Sequence, residues 1–216
     1  MRVRARVDHR DVPPESTVVG LKAHEGLSRL FDVRVELLAP AGDLDLEAML
    51  WSTMAVTLTP DQSVGSEPRS WHGVIEAADY LGTDDRWHRY RFRLRPTVHG
   101  LAYRVRSRIF QDLSVVDIVT QVLTDAGVPA DAVRWDTGGE YPVRPYTTQW
   151  KESELSFVLR LLEDEGIFYW FEHTEIDHLL CFGDAPGAHA SIDGDPMIPI
   201  ESQAAQEVDA IWHPVL

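Results

Sequence analysis

The stretch that decides the fold runs from Ser107 to His173, where two helix patterns are followed by an aromatic strand. Its first part reads SRIFQDLSVVDIVTQVLTDAGV, and its second part reads YPVRPYTTQWKESELSFVLRLLEDEGIFYWFEH. Apolar residues recur in both parts at the three- and four-residue spacing of one buried helix face. The sequence therefore predicts two amphipathic helices that pack as one unit.

Each helix pattern has its own start and stop signals. Ser114 precedes the first helix and forms an imperfect capping box with Asp117, since Glu or Gln is the usual partner. Gly127 then supplies the left-handed residue that commonly ends a helix. Ser153 and Gly166 have the same two roles in the second helix. The sequence therefore predicts helices that begin after these serines and end before these glycines.

The second helix leads into an aromatic hairpin. Residues 167–171 read IFYWF and predict a compact strand, which a turn at residues 174–177 returns through residues 179–182. Between the helices, residues 134–145 contain two glycines and two prolines and predict an irregular connection. Residues 146–150 predict a short extended segment. This half of the chain therefore combines helices with a small amount of sheet.

Residues 1–106 show the two-residue alternation of strands instead. Within residues 30–38, LFDVRVELL, apolar residues share one face and charged residues share the other. The other strand-like runs are residues 3–7, 17–21, 54–58, 71–80 and 87–94, with a hairpin turn at residues 82–85. A short helix is predicted at residues 46–51, capped by Asp43 or Asp45. About six strands separated by turns predict a small antiparallel barrel or sandwich.

The charge and the apolar pattern exclude several classes of partner. The chain has 35 acidic and 20 basic residues, a formal net charge of -15, which repels nucleic acid and anionic membrane surfaces. No window approaches the roughly 18 consecutive apolar residues of a membrane span. The first residues, MRVRARVDHRD, lack the apolar run of a signal peptide. We therefore expect a protein folded in the cytoplasm, with no nucleic-acid partner, no membrane span and no cleavable leader.

Groups for catalysis or ligand binding are sparse in the sequence. Cys181 is the single cysteine, so no internal disulfide forms, and its apolar neighbours predict a buried strand residue. None of the nine histidines has metal-binding helix spacing, and the closest pair, His173 and His178, flanks the hairpin turn. The sequence has no G-x-S-x-G elbow and no phosphate-binding P-loop. We therefore expect no enzyme, and no catalytic, cofactor-binding or metal-binding residues.

The aromatic residues of the second half have two interpretations. Residues 168–171, together with Tyr146 and Trp150, either form a platform that stacks on a sugar or belong to a core strand. We favour the core strand, because aromatic side chains bury large areas and dominate such cores.

Two charge patterns predict an interface. Arginines alternate with other residues along RWHRYRFRLR, residues 86–95, and in so acidic a chain we expect them to meet acidic residues of another subunit. Residues 163–165, EDE, occupy the last turn of the second helix, where the helix dipole favours cations. These carboxylates are either solvated or face basic groups, on the first half of the chain or on a neighbouring subunit. The residues expected at the interface are Arg89, Arg91, Arg93, Glu163, Asp164 and Glu165.

Two longer blocks resemble one known family. Residues 107–119 are similar to S-R-I-F-Q-D-x-S-V-x-D-I-V, and residues 144–167 to R-x-Y-x-x-Q-Y/W-x-E-S-[DE]-x-x-F-x-x-R-L-x-E-x-E-G-I. The runs at residues 27–38, 44–50, 71–73 and 90–96 add to the resemblance. On these residues the chain resembles the VgrG spike proteins of type VI secretion and the related baseplate hubs of contractile phage tails.

The resemblance implies a mechanical part rather than an enzyme. Three copies of the full-length protein would form a homotrimeric ring of pseudo-sixfold symmetry, which joins a hexameric tube of the haemolysin-coregulated type to a needle. Baseplate components and effector or adaptor proteins would be further partners. The protein would lie in the cytoplasm before assembly and be ejected from the cell on contraction.

The resemblance also divides the α+β chain into domains. Residues 1–106 would form an antiparallel β-barrel tube domain, residues 107–190 an α+β insertion domain with two helices and a hairpin, and residues 191–216 the start of a second tube domain or a truncated tail. Family members continue into an oligonucleotide/oligosaccharide-binding-fold domain and a triple-stranded β-helix, whose repeat is not seen in this sequence. We therefore expect a truncated chain or a split hub component, and we assign no piercing activity to it.

Two alternatives stay open at this point. The hub can belong to a phage tail or an extracellular contractile injection particle instead of a secretion system. A function of a different class is a glycan-binding or hydrolytic effector module, which needs a pocket with converging polar groups.

Overall fold

The first half of the chain forms an antiparallel sheet, as its strand patterns predict. The computed structural model describes residues 4–40, 42, 44–59, 68–84 and 86–188, so the expectation for residues 191–216 lies outside the described residues. The six strands are β1 (Arg4–Asp8), β2 (Thr17–His24), β3 (Asp32–Ala39), β4 (Thr53–Thr59), β5 (Arg69–Asp84) and β6 (Trp87–Arg95). Their order is β1-β4-β5-β6-β3-β2. The edge strands β1 and β2 are in contact, so the sheet nearly closes into the predicted barrel.

Alternating apolar side chains fill this barrel. Val35 of β3 lies opposite Phe92 of β6, and Leu37 of β3 lies opposite Tyr90 of β6. All four side chains are almost completely buried. The residues between them on both strands are charged and point outward, so the period-two pattern of the sequence marks the two faces of the sheet.

A short helix interrupts the barrel strands. The helix α1 (Leu46–Met49) is two residues shorter than the predicted segment. Asp45 caps it, since its Oδ1 accepts a hydrogen bond from Ala48 N–H at 3.0 Å. Trp51 has a φ of 63°, so the chain has already left helical geometry at the end of the predicted segment.

The second half contains two longer helices and two small sheets. Its elements are β7 (Val105–Phe110), α2 (Val115–Asp125), β8 (Val133–Asp136), β9 (Thr147–Ser153), α3 (Glu154–Asp164), β10 (Phe168–His173) and β11 (His178–Gly183), with 3₁₀ turns at Thr97–Tyr103, Ala130–Ala132 and Pro186–Ala188. One sheet has the order β10-β11-β8, and the other pairs β7 with β9. Among the described residues, no helix is both long enough and apolar enough to cross a membrane.

Both helix predictions are confirmed in detail. Ser114 Oγ accepts from Asp117 N–H at 3.2 Å, and Asp117 Oδ2 accepts from Ser114 N–H at 3.0 Å, so Asp completes the capping box. Ser153 Oγ accepts from the N–H of Ser156 at 3.1 Å. Gly127 and Gly166, which follow the two helices, have φ values of 83° and 69°. These positive angles explain why glycine stands at both positions.

Two strands of the second half were not predicted as strands. The connection at residues 134–145 was expected to be irregular, but β8 occupies its start and pairs in parallel with β11. A four-residue strand shows little alternation, and its partner lies more than forty residues later, so local pattern does not indicate it. Strand β7 was likewise hidden in an arginine-rich run and pairs with β9 across a bulge.

Two hydrophobic cores meet at one point. One core fills the barrel, and the other packs α2 and α3 against the small sheets. Phe31 of the barrel core contacts Phe171 of β10 edge to face, with ring centroids 5.1 Å apart. The domain boundary expected after residue 106 falls inside β7 and stays a prediction.

Candidate functional site

The arginines expected at an interface lie on the outer face of the barrel. Arg91 Nη2 donates to Glu36 Oε1 at 2.7 Å, and Arg93 Nη2 donates to Asp32 Oδ2 at 2.6 Å. Both carboxylates belong to the neighbouring strand β3. Arg89 is exposed near the start of the same strand, β6. This arginine stripe, Arg89, Arg91 and Arg93, is therefore partly neutralised within the chain, since Arg91 and Arg93 pair with carboxylates of β3.

The acidic end of α3 has a partner that sequence reasoning did not name. Glu165 Oε1 accepts from Arg144 Nη2 at 2.5 Å, and Asp164 Oδ2 lies 3.6 Å from Arg144 Nη1. Arg144 belongs to the connection between β8 and β9, so the basic group that these carboxylates face within the chain is not one of the barrel arginines. Glu163 is exposed. Over the described part of the chain, no ion pair joins residues 163–165 to the barrel arginines, and the interface stays a prediction.

A buried carboxylate surrounded by arginines lies where β7, β9 and α3 meet. Glu154, the first residue of α3, has a fully buried side chain. Arg104 Nε donates to Glu154 Oε2 at 2.5 Å, and Arg108 Nη2 donates to Glu154 Oε1 at 2.9 Å. Arg106 Nε lies 3.0 Å from Glu154 Oε1. Each carboxylate oxygen therefore faces at least one guanidinium group, as a buried charge requires.

Further hydrogen bonds fix this arginine cluster. Arg108 Nε donates to Oε1 of Gln149, which is fully buried, at 2.9 Å. Glu154 N–H donates to Arg104 O at 2.8 Å and ties the start of α3 to the residue before β7. Sequence reasoning missed the cluster, although the alternating arginines in RVRSR, residues 104–108, were a signal for one shared face. The cluster therefore holds β7 and the start of α3 together and fixes their relative orientation.

The aromatic residues divide between core and surface. Tyr169 is buried and Phe171 packs against both cores, which confirms the core interpretation for the strand. Tyr146 and Trp150 were grouped with that core, but their exposed fractions are 57% and 68%. Trp150 lies on β9, whose inner face is occupied by Gln149. The core interpretation was therefore wrong for these two side chains.

Cys181 behaves as an inert core residue. Its side chain is fully buried on β11, as its apolar neighbours predict. Burial raises the pKa of the Cys181 thiol to about 12. A thiol with so high a pKa supplies almost no thiolate near neutral pH.

In the barrel, a histidine contacts a serine, but the hydrogen bond between them runs in the wrong direction to activate the serine as a nucleophile. His9 Nε2 lies 2.8 Å from Ser52 Oγ, and His9 Nδ1 accepts from Asp11 N–H at 3.1 Å. Ser52 Oγ itself donates to Met49 O at 2.6 Å. Neutral His9 therefore carries its proton on Nε2 and donates it to the serine, the reverse of what a general base does. The contact fixes the turn after α1.

Three histidines form a buried cluster between the barrel and the β10–β11 hairpin. His72 lies on β5, His173 ends β10 and His178 begins β11. His72 Nδ1 lies 3.0 Å from His178 Nδ1, and His72 N–H donates to His173 Nδ1 at 3.2 Å. Thr97 N–H, just after β6, donates to His178 Nε2 at 3.1 Å. Strand β5 of the barrel and the 3₁₀ turn that follows β6 thus each donate one backbone N–H group to an imidazole of the hairpin.

These hydrogen bonds decide which ring nitrogens carry protons. Because His178 Nε2 accepts from Thr97, neutral His178 carries its proton on Nδ1 and donates it to His72 Nδ1. Because His173 Nδ1 accepts a backbone N–H, neutral His173 carries its proton on Nε2, which lies 3.4 Å from Glu25 Oε1. Every bond in the cluster therefore requires neutral imidazoles.

Burial keeps two imidazoles of this cluster, those of His72 and His178, neutral. Burial, together with smaller effects of the neighbouring His72 and His173, lowers the pKa of His178 to about 4. Burial also lowers the pKa of His72. Burial alone would raise the pKa of Glu25, but hydrogen bonds with His173 and Trp71 outweigh burial and lower this pKa to about 2. The cluster thus combines these two uncharged rings with one ionised carboxylate at its edge.

The histidine cluster resembles a metal site in composition but not in hydrogen bonding. One ligand atom each from His72, Asp177 and His178 lies within 4.8 Å of the others. A metal on Nδ1 of His178 would need the proton on Nε2, where Thr97 N–H already points. The pair His173 and His178, which the sequence analysis singled out, therefore belongs to a hydrogen-bonded network.

The sequence matches one protein family over most of its length. The pattern of the family described as Phage tail baseplate hub (GPD) matches residues 24–213. The chain is 39% identical over 167 residues to the type VI secretion system spike protein VgrG4b of Pseudomonas aeruginosa, a match that covers 77% of this chain and 20% of that protein. It is 34% identical over 199 residues to VgrG1c of the same organism, with coverages of 90% and 26%. The chain thus spans about a fifth to a quarter of the length of these relatives.

The fold is shared with a solved structure from the same kind of machine. The Escherichia coli protein c3393 superimposes with a TM-score of 0.69 at 23% identity, over 82% of this chain and 51% of that one. That protein is described as a component of the type VI secretion system with structural similarity to the T4 bacteriophage tail proteins gp27 and gp5. This likeness concerns the fold alone.

Proposed function

Since the chain belongs to the phage tail baseplate hub family, we propose that it is the hub part of a contractile injection machine of the type VI secretion kind. The observation that carries the proposal is the family match over residues 24–213, which covers strands β3 to β6 of the barrel and the whole α+β unit. The similarity to two spike proteins of Pseudomonas aeruginosa supports secretion rather than a phage tail. The role is structural, and catalysis is not part of the proposal.

In this proposal the full-length protein works as a homotrimer. Its barrels adapt the threefold needle to a hexameric tube of the haemolysin-coregulated type, and baseplate components and effector or adaptor proteins bind around it. The protein assembles in the cytoplasm and leaves the cell on contraction. The near-closed barrel supports this role, because barrels with covered edges stack into rings without offering open strands to other chains.

The proposed contact between copies joins the arginine stripe of one copy to the acidic helix end of the next. Arg89 and Glu163 are the most informative members, since both are exposed. Arg91, Arg93 and Glu165 also have partners within their own chain, so their replacement would change folding as well as assembly. Opposite charges placed across an interface fix partner choice and register.

Charge reversal tests this contact in the full-length protein. We expect Arg89→Glu and Glu163→Lys each to raise the concentration at which half of the trimer dissociates by about tenfold, because each puts like charges across the interface. Sedimentation velocity over a dilution series measures this concentration. The double variant should recover part of the loss, since it restores an opposite pair.

The matched control is Lys22→Glu, the same kind of change at an exposed position of β2 outside the six residues. It should leave the trimer unchanged. If Arg89→Glu and Glu163→Lys dissociate no more readily than this control, the contact lies elsewhere, although the hub function itself would stand. A full-length protein that stays monomeric and never co-purifies with tube protein would contradict the function.

A further inference from the structure

We propose that the cluster of His72, His173 and His178 is an acid-sensitive latch, which holds the β10–β11 hairpin on the barrel while its imidazoles are neutral and releases it when His178 is protonated. The cluster lies at the contact of the two cores, where the barrel residue Phe31 also packs its ring on His173 and His178. The inference concerns a regulatory property and does not depend on the proposed function.

Protonation of His178 removes the hydrogen bond that the 3₁₀ turn after β6 donates to the hairpin. A charged His178 carries a proton on Nε2, so that nitrogen can no longer accept the hydrogen bond from Thr97 N–H. The N–H of Thr97 and the N–H on Nε2 of His178 then point at each other in a buried site. A buried donor without an acceptor raises the free energy of the closed state. If His72 is protonated as well, two cations lie with their Nδ1 atoms 3.0 Å apart. Both events oppose the closed contact.

Other charged groups around the cluster do not offset this effect. Asp177, in the hairpin turn, favours a charged His178, but it is exposed and its field is weakened by water. Glu25, before β3, already hydrogen-bonds Trp71 and pairs with Arg69 of β5. Arg95 of β6, two residues before Thr97, donates to the carbonyl of Phe31, and Asp32 of β3 pairs with Arg93.

The direction of the pH effect depends on which state, the closed contact or the released hairpin, binds more protons. His178 has a pKa of about 4 in the closed contact, against 6.5 for a free histidine. Above pH 6.5 both states are neutral, so this histidine adds no pH dependence. Below pH 6.5 the released state binds a proton that the closed state does not, so release becomes more favourable by up to about tenfold per pH unit. From pH 6.5 to 4.5 we expect about a 40-fold increase in the opening equilibrium, because His178 is already half protonated in the released state at pH 6.5 and begins to be protonated in the closed state near pH 4.5.

The window between pH 6.5 and 4.5 separates this effect from the loss of carboxylate contacts. Glu25 has a pKa of about 2 in the folded protein against 4.5 when free, so its contribution is lost only below pH 4.5. Two other histidines, His9 and His99, also have pKa values lowered by burial, and they contribute to global unfolding in the same window. A readout at the latch itself is therefore needed.

The test is amide hydrogen exchange at Thr97, corrected for the intrinsic effect of pH, in the wild-type chain and in His178→Gln. Glutamine can accept from Thr97 N–H but does not titrate. We expect the wild-type protection factor at Thr97 to fall about 40-fold from pH 6.5 to 4.5, and the variant to keep its protection over this range. His88→Asn, which removes a histidine outside the cluster, should behave like the wild type.

A second measurement covers the case in which His178→Gln does not fold. NMR titration of the wild-type histidine rings gives the midpoint at which His178 is protonated. The latch requires that Thr97 loses protection as His178 takes up its proton. Protection that persists at Thr97 to pH 4.5, or that is lost equally in His178→Gln, would overturn the proposal.

Discussion

Replacing Glu154 by glutamine is expected to lower the free energy of unfolding by about 3 kcal/mol, the range measured when one partner of a buried ion pair is removed. The carboxylate is fully buried and faces Arg104, Arg106 and Arg108. Glutamine keeps the size of the side chain but turns one oxygen into an N–H donor. That donor then faces guanidinium donors, and the arginines lose their counter-charge inside a packed site.

Urea unfolding followed by circular dichroism measures this change. Glu163→Gln is the matched control, because it makes the same chemical change in the last turn of the same helix at an exposed position. The control should lie within about 0.5 kcal/mol of the wild type. Equal stabilities for the two variants would mean that the arginine cluster contributes nothing net to folding.

Replacing Phe31 by alanine is expected to cost about 3 to 5 kcal/mol and also to uncouple the two halves of the fold. Phe31 is buried in the barrel core, and its ring lies 5.1 Å from that of Phe171 and 4.7 Å from that of His173. Alanine leaves a cavity at the point where the two cores meet. The barrel and the α+β unit should then unfold in separate steps.

Hydrogen exchange measured segment by segment through a denaturant series distinguishes a loss of stability from an uncoupling of the barrel and the α+β unit. Phe92→Ala is the control, since Phe92 is equally buried in the barrel but lies opposite Val35 and away from the hairpin. It should lose similar stability while keeping one cooperative transition. A single transition in both variants would show that Phe31 does not couple the two units.

Much of the fold was predictable because its signals are local. The capping residues of α2 and α3 lie within three or four positions of the bonds they make, and the alternation in β3 and β6 records two faces of one sheet. The strands β7 and β8 were missed for the opposite reason. β8 is four residues long, and its partner β11 is defined only by tertiary packing.

The candidate sites were less predictable than the fold. Arg104 and Glu154 lie fifty positions apart, and His72 and His178 lie more than one hundred positions apart, so no local pattern brings either pair together. The charge patterns predict an interface with another subunit at residues 89–93 and 163–165. They did not indicate that Arg144, Glu36 and Asp32 already neutralise part of these patches. Such local pairing depends on which loops and strands become neighbours.

The central claim, that the chain is the hub of a contractile injection machine, is tested most directly by the mass and symmetry of the full-length protein mixed with tube protein. Light scattering after size exclusion, followed by cryo-electron microscopy of the same peak, gives both quantities. We predict three copies in a ring whose barrels stack on a tube hexamer. A monomer that elutes apart from the tube protein, with no ring in the images, would contradict the account.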